Sequence, residues 1–229
     1  MTADATPSLI DDLFGAPPPA AEPARPKRPS TRQGVQPAAA APELKALAQR
    51  LPRGLRIGTS SWSYPGWEGL VYGGGYSESQ LARKGLAAYG QHPLFRTVSI
   101  DRGFYAPIPL ADYVAYAASV PDDFRFAVKA PAAVCDAWIR ESDGRGRQPN
   151  PAFLHAEFAV RDFVEPATRG LGTRCGPLVF QLSPLGALAD DAIGFLERLE
   201  AFLTALPPLD RQRARRTRST RWNCATRRC

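Results

Sequence analysis

The chain has 229 residues, which suits one ordinary domain with tails, and its 44% apolar content permits a sizeable core. Its net charge of +7 misleads: residues 211–229 carry eight Arg and no acid, and the remainder is close to neutral. That excludes a folded body that binds nucleic acid through its overall field, and the lack of any apolar run near roughly 18–20 residues excludes a membrane-spanning helix.

The first thirty residues have neither the basic start nor the apolar middle of a secretory signal, so the expected location is cytoplasmic. Residues 1–50 read as a disordered, Ala/Pro-rich arm, because they cannot bury enough surface to offset the entropy of ordering. Within the arm, Leu9, Ile10, Leu13 and Phe14 surround Asp11 and Asp12. This acidic-apolar island has the composition of a short motif that docks in a partner's groove, and "DDLF" loosely resembles bacterial sliding-clamp-binding peptides; such strings also arise by chance.

The pattern changes near residue 51, where a domain reading to residue 208 begins. Leu55–Trp62 reads as a strand that ends in small hydroxyl residues. Ser77 and Gln80 form an S-x-x-Q capping box that opens a helix to about Gly90. Arg96–Asp101 is a second strand, Pro109–Val120 a helix, and Phe124–Ala130 a third strand. The Gly-rich stretch Glu141–Gln148 reads as a lid or as an unstructured insertion. Asn150 then caps a helix with Pro151 at its first position, running to about Thr168 and stopping near Gly170 and Gly172. Leu178–Leu182 is a fourth strand, and Asp190–Leu206 a helix with Ile193, Leu196, Leu199, Leu203 and Leu206 on one stripe.

Four βα units with apolar strands imply a parallel sheet covered by helices. A doubly wound sheet and a (β/α)8 barrel both fit this order. The first strand leads into "TSSWSYPGW" and not into G-x-G-x-x-G, which tilts the reading toward the barrel and leaves no cofactor assigned.

Four blocks carry a resemblance: "IGTSSWSYPGW" at Ile57–Trp67, "SIDRGFYAPIP" at Ser99–Pro109, "FRFAVKAP" at Phe124–Pro131 and "PLVFQLSP" at Pro177–Pro184. In their order and spacing the chain resembles the YecE-like proteins (domain-of-unknown-function family seventy-two), an uncharacterised group with a TIM-barrel fold. The resemblance covers about residues 55–206 and implies an α/β chain holding a partial (β/α)8 TIM barrel of about four βα units. There are departures. The family commonly has Glu and Asn where this chain has Ser99 and Asp101, and Thr where it has Gly103. A Thr-His pair is common near the place of Val134–Cys135, and a Pro where Ser183 stands.

Family members also carry later strands with further polar blocks, and the segment 209–229 resembles none of them. Its Arg-rich, aperiodic composition is expected of a truncated or frameshifted end, and the competing reading is a genuine basic tail for nucleic-acid backbone contact. A sheet of four such units would have open edges, so the isolated chain is expected to be marginally stable or aggregating unless two copies pair. Cys135, Cys175, Cys224 and Cys229 are scattered without a secretory context or a ligand pattern, and all four read as reduced thiols.

In parallel α/β folds a ligand sits at the carboxyl ends of the strands. Those ends supply Ser60, Ser61, Trp62, Ser63 and Tyr64, then Asp101, Arg102 and Tyr105, then Lys129, then Gln181 and Ser183. The collection is polar and aromatic, suited to a hydroxyl-rich or base-bearing small molecule. Asp101 and Lys129, on adjacent strands, are either an acid/base couple or a structural ion pair at the rim; a Schiff-base role for Lys129 would need a desolvated pocket. Arg102 either clamps an anion or is a solvated rim residue. Gln181 is a candidate ligand donor, and Trp62, Tyr64 and Trp67 either stack on a ligand or pack. His92 and His155 read as surface or capping residues, so neither a metal site nor a Ser-His-Asp arrangement is assigned.

The functional expectation is an enzyme-type domain acting on a phosphorylated or sugar-like compound and inactive if truncated. The alternatives are a ligand-binding adaptor that uses the Leu9–Phe14 motif, and nucleic-acid association through the tail.

Overall fold

The computed structural model describes residues 34–140 and 146–208. The Leu9–Phe14 motif, the arginine-rich segment 209–229 and residues 141–145 of the Gly-rich stretch lie outside the described residues.

The element order is α1 (Pro42–Arg50), β1 (Ile57–Thr59), α2 (Glu78–Lys84), α3 (Leu86–Tyr89), β2 (Phe95–Ile100), α4 (Leu110–Ala118), β3 (Arg125–Lys129), α5 (Ala132–Cys135), β4 (Trp138–Arg140), β5 (Gly146–Pro149), α6 (Ala156–Ala159), α7 (Glu165–Leu171), β6 (Cys175–Val179) and α8 (Ala192–Ala205). Strands β1, β2, β3 and β6 form one sheet in that spatial order, and every pairing is parallel. Each strand is laid beside the one before it, with helices in the crossovers. The chain is therefore an α/β fold built on a four-stranded parallel sheet. The doubly wound alternative would reverse the strand order, and no reversal occurs in this sheet.

Strand alternation divides the sheet into two faces. In the register Val98↔Phe126 and Ile100↔Val128, these four residues are fully buried. They share one core with Leu178 and Phe180 of the last strand segment and with Leu81, Tyr89, Tyr113, Phe163 and Leu171 from the helical layer. The intervening residues Thr97, Ser99, Ala127, Lys129 and Val179 are only half-buried.

Local chemistry explains the helix boundaries. The capping box is present in full: the Gln80 amide donates to Ser77 Oγ at 3.3 Å, and the Ser77 amide donates to Gln80 Oε1 at 3.0 Å. Gly85 then divides the expected single helix into α2 and α3. Gly172, with φ of 57° and ψ of −128°, closes α7 at a positive φ that a side chain would resist.

Several sequence expectations are corrected. Residues 34–50, read as part of a disordered arm, hold the helix α1, and the Ala38 amide donates to the Val71 carbonyl at 2.9 Å. Asn150 caps a turn and not a long helix: its Oδ1 accepts from the Ala152 amide while its Nδ2 donates to the carbonyls of Ala133 and Asp136. The chain passes through Leu154 at φ 52°, and the helix starts at Ala156 with His155 as its N-cap. His155, expected inside that longer helix as a surface or capping residue, is thus the N-cap. The flanks of the Gly-rich stretch, read as a lid or unstructured insertion, pair as an antiparallel hairpin, β4–β5. The fourth strand runs over Cys175–Val179, three residues earlier than expected, because its ladder ends where β3 ends. On α8 the predicted core stripe is only partly covered: Ile193 is 74% and Leu196 59% exposed, while Phe202 and Leu206 are buried.

Tyr89 ties α3 to the first two strands. Its hydroxyl accepts from the Thr59 amide at 3.0 Å, lies 2.8 Å from Thr59 Oγ1, and donates to the Thr97 carbonyl at 3.1 Å. Burial pushes its phenol above the ordinary range, so the group stays neutral. Tyr89→Phe keeps the packing but takes this partner from the half-buried Thr59 amide and Thr97 carbonyl. A loss of about 1–3 kcal/mol in urea unfolding is expected; no measurable loss would mean that water replaces the hydroxyl.

Candidate functional site

Strand β1 ends at Thr59, and the chain turns at once through Ser60–Ser63. The turn is held from both sides. Thr59 Oγ1 donates to the Ser61 carbonyl at 2.6 Å, and the Ser63 amide donates to Ser61 Oγ at 3.1 Å. Trp62 is turned inward, 8% exposed, with its Nε1 donating to the Ala82 carbonyl at 3.2 Å and its ring edge-on to Tyr116 at 5.3 Å. The Tyr72 hydroxyl donates to the Trp62 carbonyl. Trp62 therefore packs and positions the loop. Of the other two aromatics read as stacking candidates, Trp67 sits partly buried against the core, whereas Tyr64 is exposed and edge-on to Trp67 at 5.5 Å.

At the end of β2, Asp101 receives two polar neighbours. Ser99 Oγ donates to Asp101 Oδ1, and Lys129 Nζ donates to Oδ2 at 3.3 Å. Lys129 ends β3, and Ser99 lies on the half-buried sheet face two residues before Asp101. The parallel register thus brings Asp101 and Lys129 side by side at one end of the sheet, as the strand ends implied. Lys129 also lies over the Phe104 ring at 5.8 Å. With Asp101 about one-third exposed, such an ion pair adds no more than about 1 kcal/mol to the fold.

Arg102 pairs with Asp112 of α4 and lies over Tyr116 at 5.4 Å. Tyr105 is 87% exposed, with only an edge contact to Phe104 among the described aromatic pairs. Gln181 is half-buried beyond the end of β6.

A cleft of about 260 Å3 opens between these strand ends and the helices α2 and α4. Its wall includes Ser60, Ser61, Trp62, Ser63, Asp101 and Arg102 from the sequence-derived set. Lys129 reaches the wall only through Asp101, and Tyr64, Tyr105 and Gln181 do not line it. Arg83, Ser99 and Tyr116 line it and were not singled out as ligand contacts. Arg83 and Tyr116 come from helices, where a search restricted to strand ends cannot find them. Ser99 carried a signal, since it lies two residues before Asp101 on the same strand face.

Among the described residues, no three His, Cys, Asp or Glu side chains are grouped to hold a metal ion, and no helix is long and apolar enough to cross a membrane. His92 is half-buried, its Nδ1 accepting from the Leu94 amide at 3.4 Å and its ring 4.1 Å from that of Phe95. Burial pushes its imidazole below the usual range.

Two solved structures are similar to part of this chain. One is a DUF72 family protein from Enterococcus faecalis, 19% identical, with a TM-score of 0.43 over 65% of this chain and 46% of that one. The other is a DUF72 family protein from Thermotoga maritima, 24% identical, with a TM-score of 0.43 over 67% of this chain and 52% of that one. The chain thus spans about half the length of these relatives. A comparison with curated proteins finds no match. The family described as "Protein of unknown function DUF72" matches residues 56–227, which takes in all four sheet strands and every residue lining the cleft. On that match the chain belongs to the DUF72 family, the YecE-like group that its four sequence blocks resemble.

Proposed function

We propose that residues 51–208 form a sector of a TIM barrel whose mouth binds a phosphorylated or sugar-like small molecule, with Asp101 and Lys129 as its reactive pair. The strand order supports the barrel reading, because parallel strands added one after another on the same side, each through a helix, are how such a barrel is wound. The observation that carries the site is the 3.3 Å contact between Asp101 and Lys129 beside a cleft lined by hydroxyls. In this arrangement Asp101 is a proton acceptor at the cleft wall, and the Lys129 ammonium behind it orients the carboxylate. Ser60, Trp62, Tyr64, Arg102, Tyr105 and Gln181 are the surrounding contact residues, with Ser60, Trp62 and Arg102 nearest the cleft.

A second reading is favoured by the same contact. Asp101 and Lys129 satisfy each other, as a structural ion pair would, and the domain then senses a ligand without turning it over. Either way the pair adds little to the fold, so its variants remain folded and the test is clean.

Thermal unfolding of the chain with a panel of sugars and sugar phosphates separates these readings. A ligand at one hundred times its dissociation constant stabilises by about 2.7 kcal/mol. Such stabilisation is expected for the wild type and is expected to vanish in both Asp101→Asn and Lys129→Ala. Equal stabilisation in wild type and variants would remove the pair from the site. Where binding depends on the pair, product formation supports the reactive couple, and its absence supports the sensor.

A further inference from the structure

We infer that the Arg83 end of the cleft is an anion subsite, in which Arg83 and the Ser60–Ser63 loop hold the phosphate of a small phosphate ester. This rests on the mouth being a ligand site, as proposed above, and commits it to an anionic ligand.

The argument begins with charge. The cleft wall carries three ionised side chains, Asp101, Arg102 and Arg83. Asp101 faces Lys129, and Arg102 faces Asp112. Arg83 is exposed in the last turn of α2, and among the described residues its side chain has no ion pair or hydrogen bond. A ligand entering the cleft therefore meets one uncompensated cation, at the α2 wall. The strand-end wall offers no such free charge, because Asp101 and Lys129 neutralise each other. The contrast gives the ligand a direction: its anionic group toward Arg83 and its neutral, reacting part toward Asp101.

Hydrogen-bond donors are available beside Arg83. Ser61 Oγ and Ser63 Oγ are 3.0 Å apart, so one hydroxyl donates to the other and the second proton is left for an acceptor. Ser60 is exposed and its hydroxyl has no partner among the described residues. A guanidinium fork with flanking hydroxyls matches the oxygens of a phosphate, where charge-assisted hydrogen bonds are the strong ones.

The loop and the arginine also belong to one rigid piece. The Ala82 carbonyl lies at the end of α2, where the helical ladder runs out, and it is satisfied by Trp62 Nε1 at 3.2 Å. Trp62 stands between Ser61 and Ser63, and Ala82 immediately precedes Arg83. The indole thus pins the serine loop to the turn that carries the cation before any ligand arrives. The volume of about 260 Å3 lies just below the usual range for ligand pockets, which suits a small phosphate ester.

The test uses the whole chain with glycerol 3-phosphate and glycerol, which differ only in the phosphate, at matched ionic strength. Glycerol 3-phosphate is expected to raise the Tm saturably, with glycerol inert. Losing a charge-assisted bond is expected to weaken the apparent affinity of Arg83→Gln roughly tenfold or more, with Arg83→Lys recovering part of it. Because Arg83 is exposed, both variants keep the wild-type Tm without ligand. An affinity unchanged in Arg83→Gln, or a shift no larger than chloride gives, overturns the inference. If neutral sugars raise the Tm and Asp101→Asn abolishes that rise, the mouth reading survives while the anion subsite falls. If neither class of compound acts, both fall.

Discussion

Phe126→Ala is expected to remove about 3–5 kcal/mol of folding stability, a large part of the roughly 5–15 kcal/mol that a domain possesses. Phe126 is fully buried in β3, one of the two strands with neighbours on both sides in the sheet. Its ring meets Phe124 at 5.3 Å and Tyr116 at 6.3 Å, so it joins the sheet to α4. Truncation leaves a void between layers that neither neighbour can close without leaving its own contacts. Urea unfolding measures the loss, and Phe126→Leu, which refills most of the volume, is expected to regain more than half of it. A loss below about 1 kcal/mol would show that the layers collapse freely onto each other.

Gly58→Val is expected to be comparably severe, at about 3 kcal/mol or more, for a different reason. A Cβ at residue 58 would lie 1.8 Å from the Thr97 carbonyl oxygen and 2.5 Å from its carbon. The obstacle is backbone, which cannot rotate aside. Strand β1 is three residues long and pairs only with β2, so the clash opens the whole pairing and releases Ser60–Ser63 from the end of β2. Stability and ligand-induced stabilisation are therefore expected to fail together. Gly54, with open space where its Cβ would be, is the control: Gly54→Ala is expected to stay within about 0.5 kcal/mol of wild type. Gly58→Val with full ligand response would separate the cleft from β1.

The four strands were legible because short apolar runs alternate with amphipathic helices, and that alternation is local. Their limits were not, because a ladder ends where its neighbour ends. Leu178–Leu182 reads as one strand, yet beyond Val179 the chain turns its bonds elsewhere, the Ser183 amide donating to the Cys135 carbonyl. The hairpin of β4 and β5 was missed for another reason: β4 is only three residues long, and β5, Gly146–Pro149, carries no apolar alternation. The stripe on α8 announced a helix, but which residues are covered depends on what packs against it.

At the site, Asp101 and Lys129 could be paired from sequence because each ends a strand and the strands are neighbours. Arg83 could not, since its place beside Ser60–Ser63 depends on an indole reaching a carbonyl twenty residues away.

Core and mouth residues share the same strands, alternating one by one: Val98, Ser99, Ile100, Asp101 on one, Phe126 to Lys129 on the next. Sliding β3 against β2 by a single position would push the Lys129 ammonium among the aromatic rings and hang Val128 over the cleft. Misaligned chains are thus penalised before they can mature, and a molecule that folds at all has its acid and its ammonium already facing each other.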